Sequence, residues 1–303
     1  MRRRPVTSEV RSTSEVKRAL EAKGLDPSAL TRIGVRPELT EYIRQLWDRR
    51  FFIWYDARHR ASTQHSRMRL GNVWLLLRPL VDASVYFVIF GLILQAGRGI
   101  ENFPAFLVIG ILLYRSTATS ISSGATLLHA NRSMIKAFTF PRASIPIAAV
   151  VQSTMTAVFT LAMMCLVIIV LPPHAPPQFT WPLLVPIFMI QTVLNLGIML
   201  FTARIGFHIP DMANLLGLVS RFLMYGSGVM FPITRFVDDS TAVAILELNP
   251  LYQIIDMMRS VLLDGQVPDL RSWTIAISWA VGTVVFGFLF FWRAEESYGR
   301  ELA

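Results

Sequence analysis

The chain has 303 residues, 53% of them hydrophobic, a mean hydropathy of +0.48 and a formal net charge of +9. That apolar content is more than a water-facing surface can carry, so a bilayer is the expected solvent. A lone cysteine, Cys165, excludes an intrachain disulfide. The scattered histidines 59, 65, 129, 174 and 208 lack metal-ligand spacing, and with Lys17, Lys23 and Lys136 as the only lysines no phosphate-binding P-loop is present.

The first seventy residues concentrate the charge, with sixteen Arg and Lys against eight acids. The Arg2-Arg3-Arg4 start is not followed by an apolar h-region, so no cleaved signal is expected. Residues 1–37 read as a basic cytoplasmic tail, with a capping box at Ser12-Thr13-Ser14-Glu15 and a stop at Gly24. From Glu38 to Arg58, Leu39, Tyr42, Ile43, Leu46, Ile53 and Trp54 recur at helical spacing. Trp47 and Trp54 with Arg49 and Arg50 suit headgroup depth, which predicts an interfacial amphipathic helix with its lead-in over 38–72; a small soluble N-terminal domain is the alternative.

The remainder, 73–303, carries apolar runs of spanning length. Six spans are predicted, near Leu75–Gln95, Phe103–Leu128, Ser144–Leu171, Trp181–Phe201, Leu215–Phe236 and Trp273–Trp292. The loop after the second span holds Arg132, Lys136 and Arg142 without an acid, whereas 238–269 carries six acids against Arg259. Arginine and lysine mark the inner side, so both termini are expected in the cytoplasm. The stretch 241–265 is broken at Asn249-Pro250 into pieces too short to cross, and reads as a re-entrant helical hairpin on the outer face. The expected fold class is an all-α polytopic membrane protein: six transmembrane helices, an N-terminal amphipathic interface helix and that hairpin between spans five and six.

Several residues in the spans call for a reason. The second span reads Tyr114-Arg115-Ser116-Thr117-Ala118-Thr119-Ser120-Ile121-Ser122-Ser123-Gly124. Hydroxyls at this density fit helix packing or a hydrophilic conduit, and an arginine near mid-span needs a partner or water. Arg221 in the fifth span is a second such case, and Arg78 with Asp82 one turn on reads as an interfacial ion pair. Tyr86, Phe87 and Phe90 share a face of the first span, and Phe222 and Tyr225 lie on the fifth; such stripes serve packing or sugar stacking. Gly226-Ser227-Gly228 before Phe231-Pro232 weakens the fifth span near its outer end.

In order along the chain, Arg69-Leu70-Gly71-Asn72-Val73-Trp74, Phe140-Pro141-Arg142-Ala143-Ser144-Ile145-Pro146, Ile209-Pro210-Asp211 and Leu248-Asn249-Pro250-Leu251-Tyr252 with Arg259 resemble motifs of one family. It is that of ABC type 2 polysaccharide and polyol-phosphate exporter permeases, Wzm/TagG-like, over roughly Glu38 to Ser297. The family pattern usually has Trp where this chain has Tyr114.

The resemblance implies a homodimer in the cytoplasmic membrane, joined by two copies of a separate Wzt-like ATP-binding subunit. That subunit would hold ATP and magnesium; this chain would bind no cofactor or metal and contact no nucleic acid. The cargo would be a polyprenyl-pyrophosphate-linked glycan of O-antigen, teichoic-acid or, given the arginine-rich usage, actinobacterial galactan type. Asn131, Lys136, Phe140, Pro141 and Arg142 would couple to the ATPase, and Asn249, Pro250, Tyr252 and Arg259 would form a gate on the outer face. Arg58, Arg60, Arg67 and Arg69 would meet the carrier's pyrophosphate, and Tyr86, Phe90, Tyr114, Arg115, Arg221, Phe222 and Tyr225 would line the channel. Competing functions are a drug or lipid exporter permease, a membrane transferase, for which Asp48, Asp56 and Asp211 are unclustered, and a scaffold.

Overall fold

A computed structural model describes residues 36–63, 77, 81, 84–95, 99–138, 140–170, 176–231 and 240–300. The basic tail to residue 35, the motif from Arg69 to Trp74 and the residues Arg67, Arg78, Pro79, Asp82 and Pro232 lie outside them.

Every regular element described is helical. In chain order these are α1 (Leu39–Asp48), α2 (Arg50–Thr63), α3 (Ser84–Ile93), α4 (Phe103–Ala130), α5 (Arg132–Ala137), α6 (Ser144–Val170), α7 (Leu184–His208), α8 (Met212–Gly226), α9 (Ser240–Glu247), α10 (Pro250–Arg259), α11 (Leu270–Arg293) and α12 (Glu295–Arg300). Among the described residues, four helices are long and apolar enough to cross a membrane: α4, α6, α7 with its one-turn lead-in from Trp181, and α11. They start where the sequence predicts to within three residues, and α7 runs on to His208, past the expected end at Phe201. The first and fifth predicted spans are represented by the shorter α3 and α8.

The expected interface helix is two helices, because Arg49 leaves the helical path between α1 and α2. Its apolar side chains also divide: Tyr42 and Leu46, then Ile53 and Ala57, are buried against the bundle, while Ile43, Trp47, Phe51 and Trp54 remain exposed. One stripe is thus taken by protein, and a mostly aromatic rim stays exposed.

Capping accounts for several starts. The Asn102 side chain accepts from Ala105 N–H at 3.2 Å to begin α4, Asn249 accepts from Leu251 N–H at 3.0 Å ahead of Pro250, and Asp269 accepts from Ser272 N–H at 3.0 Å to begin α11.

α4 is the central helix: 67% of its apolar window is buried, against 17% for α6 and 22% for α11. It packs on α7, which packs on α11. Lipid tails are as apolar as leucine, so close van der Waals contact has to hold such helices together. At the α7–α11 seam Gly197 faces the Thr283 backbone and Gly287 faces the Gly197 carbonyl, with no room for a Cβ on either. Gly197→Val is therefore expected to destabilise the bundle by about 1–3 kcal/mol, read as a lower melting midpoint in detergent. An unchanged midpoint would show that the seam can open without cost.

Candidate functional site

At the end of the bundle where α4, α7 and α11 begin, Arg259 joins three segments. It is 6% exposed; Nη1 donates to Gly228 O at 2.8 Å, Nη2 to Val229 O at 2.8 Å and Phe106 O at 3.1 Å, and the guanidinium lies 3.3 Å from the Phe106 ring centre. The carbonyls at 228 and 229 follow the end of α8, where no helix supplies them with donors, and the planar fork of an arginine reaches both. Burial lowers Arg259 to about 9 and raises Asp256, and each supports the other's charge. Asn249 adds a second tie, donating to Ser227 Oγ at 2.8 Å and Gly226 O at 3.2 Å. Of the expected gate residues, Asn249 and Arg259 thus hold the 226–229 segment from the two ends of α10, and Pro250 opens that helix; Tyr252 is half-buried, and burial raises its phenol to about 12.

Along α4 the hydroxyls divide by face. Towards α7, Gln191 donates to Leu113 O at 2.7 Å and Thr117 Oγ1 at 3.3 Å, and Asn195 to Ser116 Oγ at 3.1 Å; these amides, in an apolar helix at i and i+4, escaped the sequence reading. Towards α8, Tyr114 Oη donates to Ser220 O at 2.8 Å, which gives the tyrosine in this position a helix-tying role. The remaining face carries Arg115, Thr119, Ser122 and Thr126, at steps of four, three and four; the last three are exposed. Thr119, Ser122 and Thr126 donate back to the carbonyls of Arg115, Ala118 and Ser123 at 2.8, 3.0 and 3.3 Å, so their oxygens remain as outward acceptors. Arg221, Phe222 and Tyr225 are exposed on α8, and Tyr86 and Phe90 of α3 are half-buried with ring centres 6.4 Å apart.

At the opposite end, the structure places the Phe140-Pro141-Arg142 loop differently from a docking loop. Phe140 and Pro141 are buried, and the Arg142 guanidinium turns inward to Glu295 Oε1 at 3.2 Å. The exposed residues are those of α5 and its exit: Arg132, Ser133, Lys136 and Phe138, the last 68% exposed. Asn131 caps the end of α4, donating to Leu127 O at 2.8 Å and accepting from Arg60 at 3.0 Å. Arg60 also pairs with Asp56 at 2.9 Å, so of the expected pyrophosphate ligands it is taken up by protein, while Arg58 is exposed. Arg50 lies over the Trp47 and Phe51 rings at 5.1 and 4.5 Å.

Glu295 was not legible in the sequence. It is 3% exposed, and accepts from Tyr42 Oη at 2.7 Å and Arg142 N–H at 3.0 Å, while Tyr42 Oη accepts from Ala143 N–H at 3.0 Å. Burial raises its carboxyl, opposed by the Arg142 N–H, the Tyr42 hydroxyl and the Arg142 charge; burial likewise raises the Tyr42 phenol well above its ordinary value. The one signal was a pair of acids directly after an apolar span. Among the described residues, no three His, Cys, Asp or Glu gather as metal ligands.

Residues 59–263 match the family described as ABC-2 type transporter. The chain is 22% identical over 250 residues to the O-antigen export system permease protein RfbA of Myxococcus xanthus, covering 80% of this chain and 94% of that protein. It is 24% identical over 244 residues to a Klebsiella pneumoniae protein of the same name, covering 77% and 90%. Similarity extends to the polysialic acid transport protein KpsM of Escherichia coli, 21% over 241 residues, covering 78% and 90%.

Proposed function

Because the chain belongs to the ABC-2 type transporter family, we propose that it is the permease of a polysaccharide exporter, pairing with itself and with a separate ATP-binding subunit to move a lipid-linked glycan outward. Relatives named for O-antigen export and polysialic acid transport support the substrate class. In this reading the chain crosses the cytoplasmic membrane six times, with α3 and α8 belonging to spans one and five. Both termini are cytoplasmic, and α9 and α10 form the hairpin at the outer leaflet.

The observation that carries the reading is the stripe Arg115, Thr119, Ser122 and Thr126 on α4, with Thr119, Ser122 and Thr126 exposed. A lipid-facing helix gains nothing from a row of acceptors, whereas a hydrated passage between two copies does. Sugar hydroxyls are donors, so a glycan can slide along such a row with little selectivity, its ring faces meeting Phe222 and Tyr225. The inner arginines, Arg58 with Arg67 and Arg69, would hold the carrier's pyrophosphate by charge-assisted hydrogen bonds.

The test is ATP hydrolysis by the complex of this chain with its ATPase in nanodiscs. Polyprenyl-pyrophosphate-linked glycan is expected to stimulate it severalfold; stimulation by hydrophobic drugs but not by glycolipid would overturn the reading. Ser122→Trp, which fills the stripe without touching the core, is expected to cut export about tenfold while the complex still assembles. Undiminished export by that variant would remove the stripe from the path.

A further inference from the structure

We infer that Glu295 is the positioning residue through which movement of the 140–143 loop is passed at once to the last span and to the interface helix. The inference rests on the permease reading above, with the ATPase pressing on the exposed α5, which leads along the chain into this loop. Three distant segments converge on this one carboxylate. The loop arrives through Arg142, whose main-chain N–H donates to Oε1 at 3.0 Å and whose Nη1 donates to Oε1 and to Glu295 O, both at 3.2 Å. The interface helix arrives through Tyr42, whose hydroxyl donates to Oε2 at 2.7 Å and accepts from Ala143 N–H at 3.0 Å. The last span arrives by continuity, since Glu295 opens α12 immediately after α11.

The geometry suits transmission better than simple anchoring. Phe140, Ala143, Tyr42 and Phe291 belong to one buried cluster, so the carboxylate sits in a packed surround that cannot absorb a displacement by sliding. Both carboxylate oxygens are engaged, each by a different segment, so pulling one partner reorients the acceptor of the other. The neighbouring Glu296 repeats the arrangement towards the start of the described chain: it accepts from Arg36 N–H at 2.9 Å, while Trp292 Nε1 donates to Pro37 O at 3.2 Å. A rigid shift of 140–143 therefore carries α1 and the end of α11 together. With Glu295 neutral the packing stays but the charge-assisted bonds weaken, and the loop can move without its followers.

The experiment compares export per ATP hydrolysed in proteoliposomes holding the full permease–ATPase complex. Glu295→Gln keeps the shape and an acceptor oxygen; Tyr42→Phe removes the relay hydroxyl and leaves the ring. Both are expected to co-purify the ATPase normally and to lower the export-to-hydrolysis ratio, Glu295→Gln by about tenfold and Tyr42→Phe by about threefold. The double variant should be no worse than Glu295→Gln alone, because the two act through one joint. An unchanged ratio in both single variants would overturn the inference, as would a fall in yield with the ratio intact, the mark of a purely structural role. Should Glu295→Gln fail to fold, the ratio for Tyr42→Phe decides. Failure of the wild-type complex to export glycan would count instead against the permease reading.

Discussion

Replacing Arg259 with methionine is expected to lower the stability of the bundle by about 3–5 kcal/mol and to abolish export. The side chain keeps its length but loses its donors, and the Gly228 and Val229 carbonyls, lying past the end of α8, are left buried and unpaired. Each such group costs about 1–3 kcal/mol, and the Asp256 carboxyl loses the nearby positive charge that opposes its upward shift. Arg259→Lys should fall between, since one ammonium cannot fork to Gly228 on one side and Phe106 on the other. Gly110→Ala approaches the same joint from the opposite side: its Cβ would lie 2.5 Å from Val229 O and 2.6 Å from Arg259 Nη2. It should reproduce the defect in weaker form with Arg259 intact. Melting midpoints in detergent read all three, and a wild-type midpoint for Arg259→Met would mean that the three segments hold together without it.

Phe138→Asp combined with Lys136→Glu should abolish co-purification of the ATPase while leaving the melting midpoint of the permease unchanged. Both residues are exposed on α5 or at its exit, where an aromatic side chain 68% exposed beside basic residues has no structural task among the described residues. An exposed aromatic with a positive neighbour is what a partner's groove and acidic rim would take. Phe140→Ala should behave in the opposite manner, costing about 3–5 kcal/mol of stability because the ring is 7% exposed and packs in the core with Ile135 and Ala143. Normal recovery of the ATPase with the double variant would move the docking surface off α5.

These two sites show how far the sequence could be read. Four crossing-length helices were legible because each is a long apolar run, and the α9–α10 break because Pro250 cannot continue a helix and Asn249 caps the next. Arg259 was legible as a lone base among acids, but not as the fork that closes α8. That role depends on carbonyls about thirty residues earlier and on Phe106 in α4.

The Phe140-Pro141-Arg142 loop is basic and lies between spans, which resembles a docking loop. The side chain that turns it inward is Glu295, 153 residues later. Periodicity reports which residues share a face and not what that face meets, so Tyr42 could be put on an apolar stripe but its hydroxyl could not be given two partners. Arg60 differs for the same reason: its ion pair with Asp56 is local, but its bond to Asn131 is not. On α4 one side of the hydroxyl run packs on α7 through Gln191 and Asn195, as the packing reading expects, and the other stays exposed, where the proposed conduit would run.

The central claim is that this chain moves a lipid-linked polysaccharide across the membrane. Its most direct measurement is the location of newly made, radiolabelled glycan in cells depleted of the protein. The account predicts that carrier-linked glycan accumulates on the cytoplasmic side, protected from a membrane-impermeant glycosidase until the cells are opened, and that restoring the chain returns the glycan to the surface. Glycan reaching the outer face at the normal rate in depleted cells would contradict it.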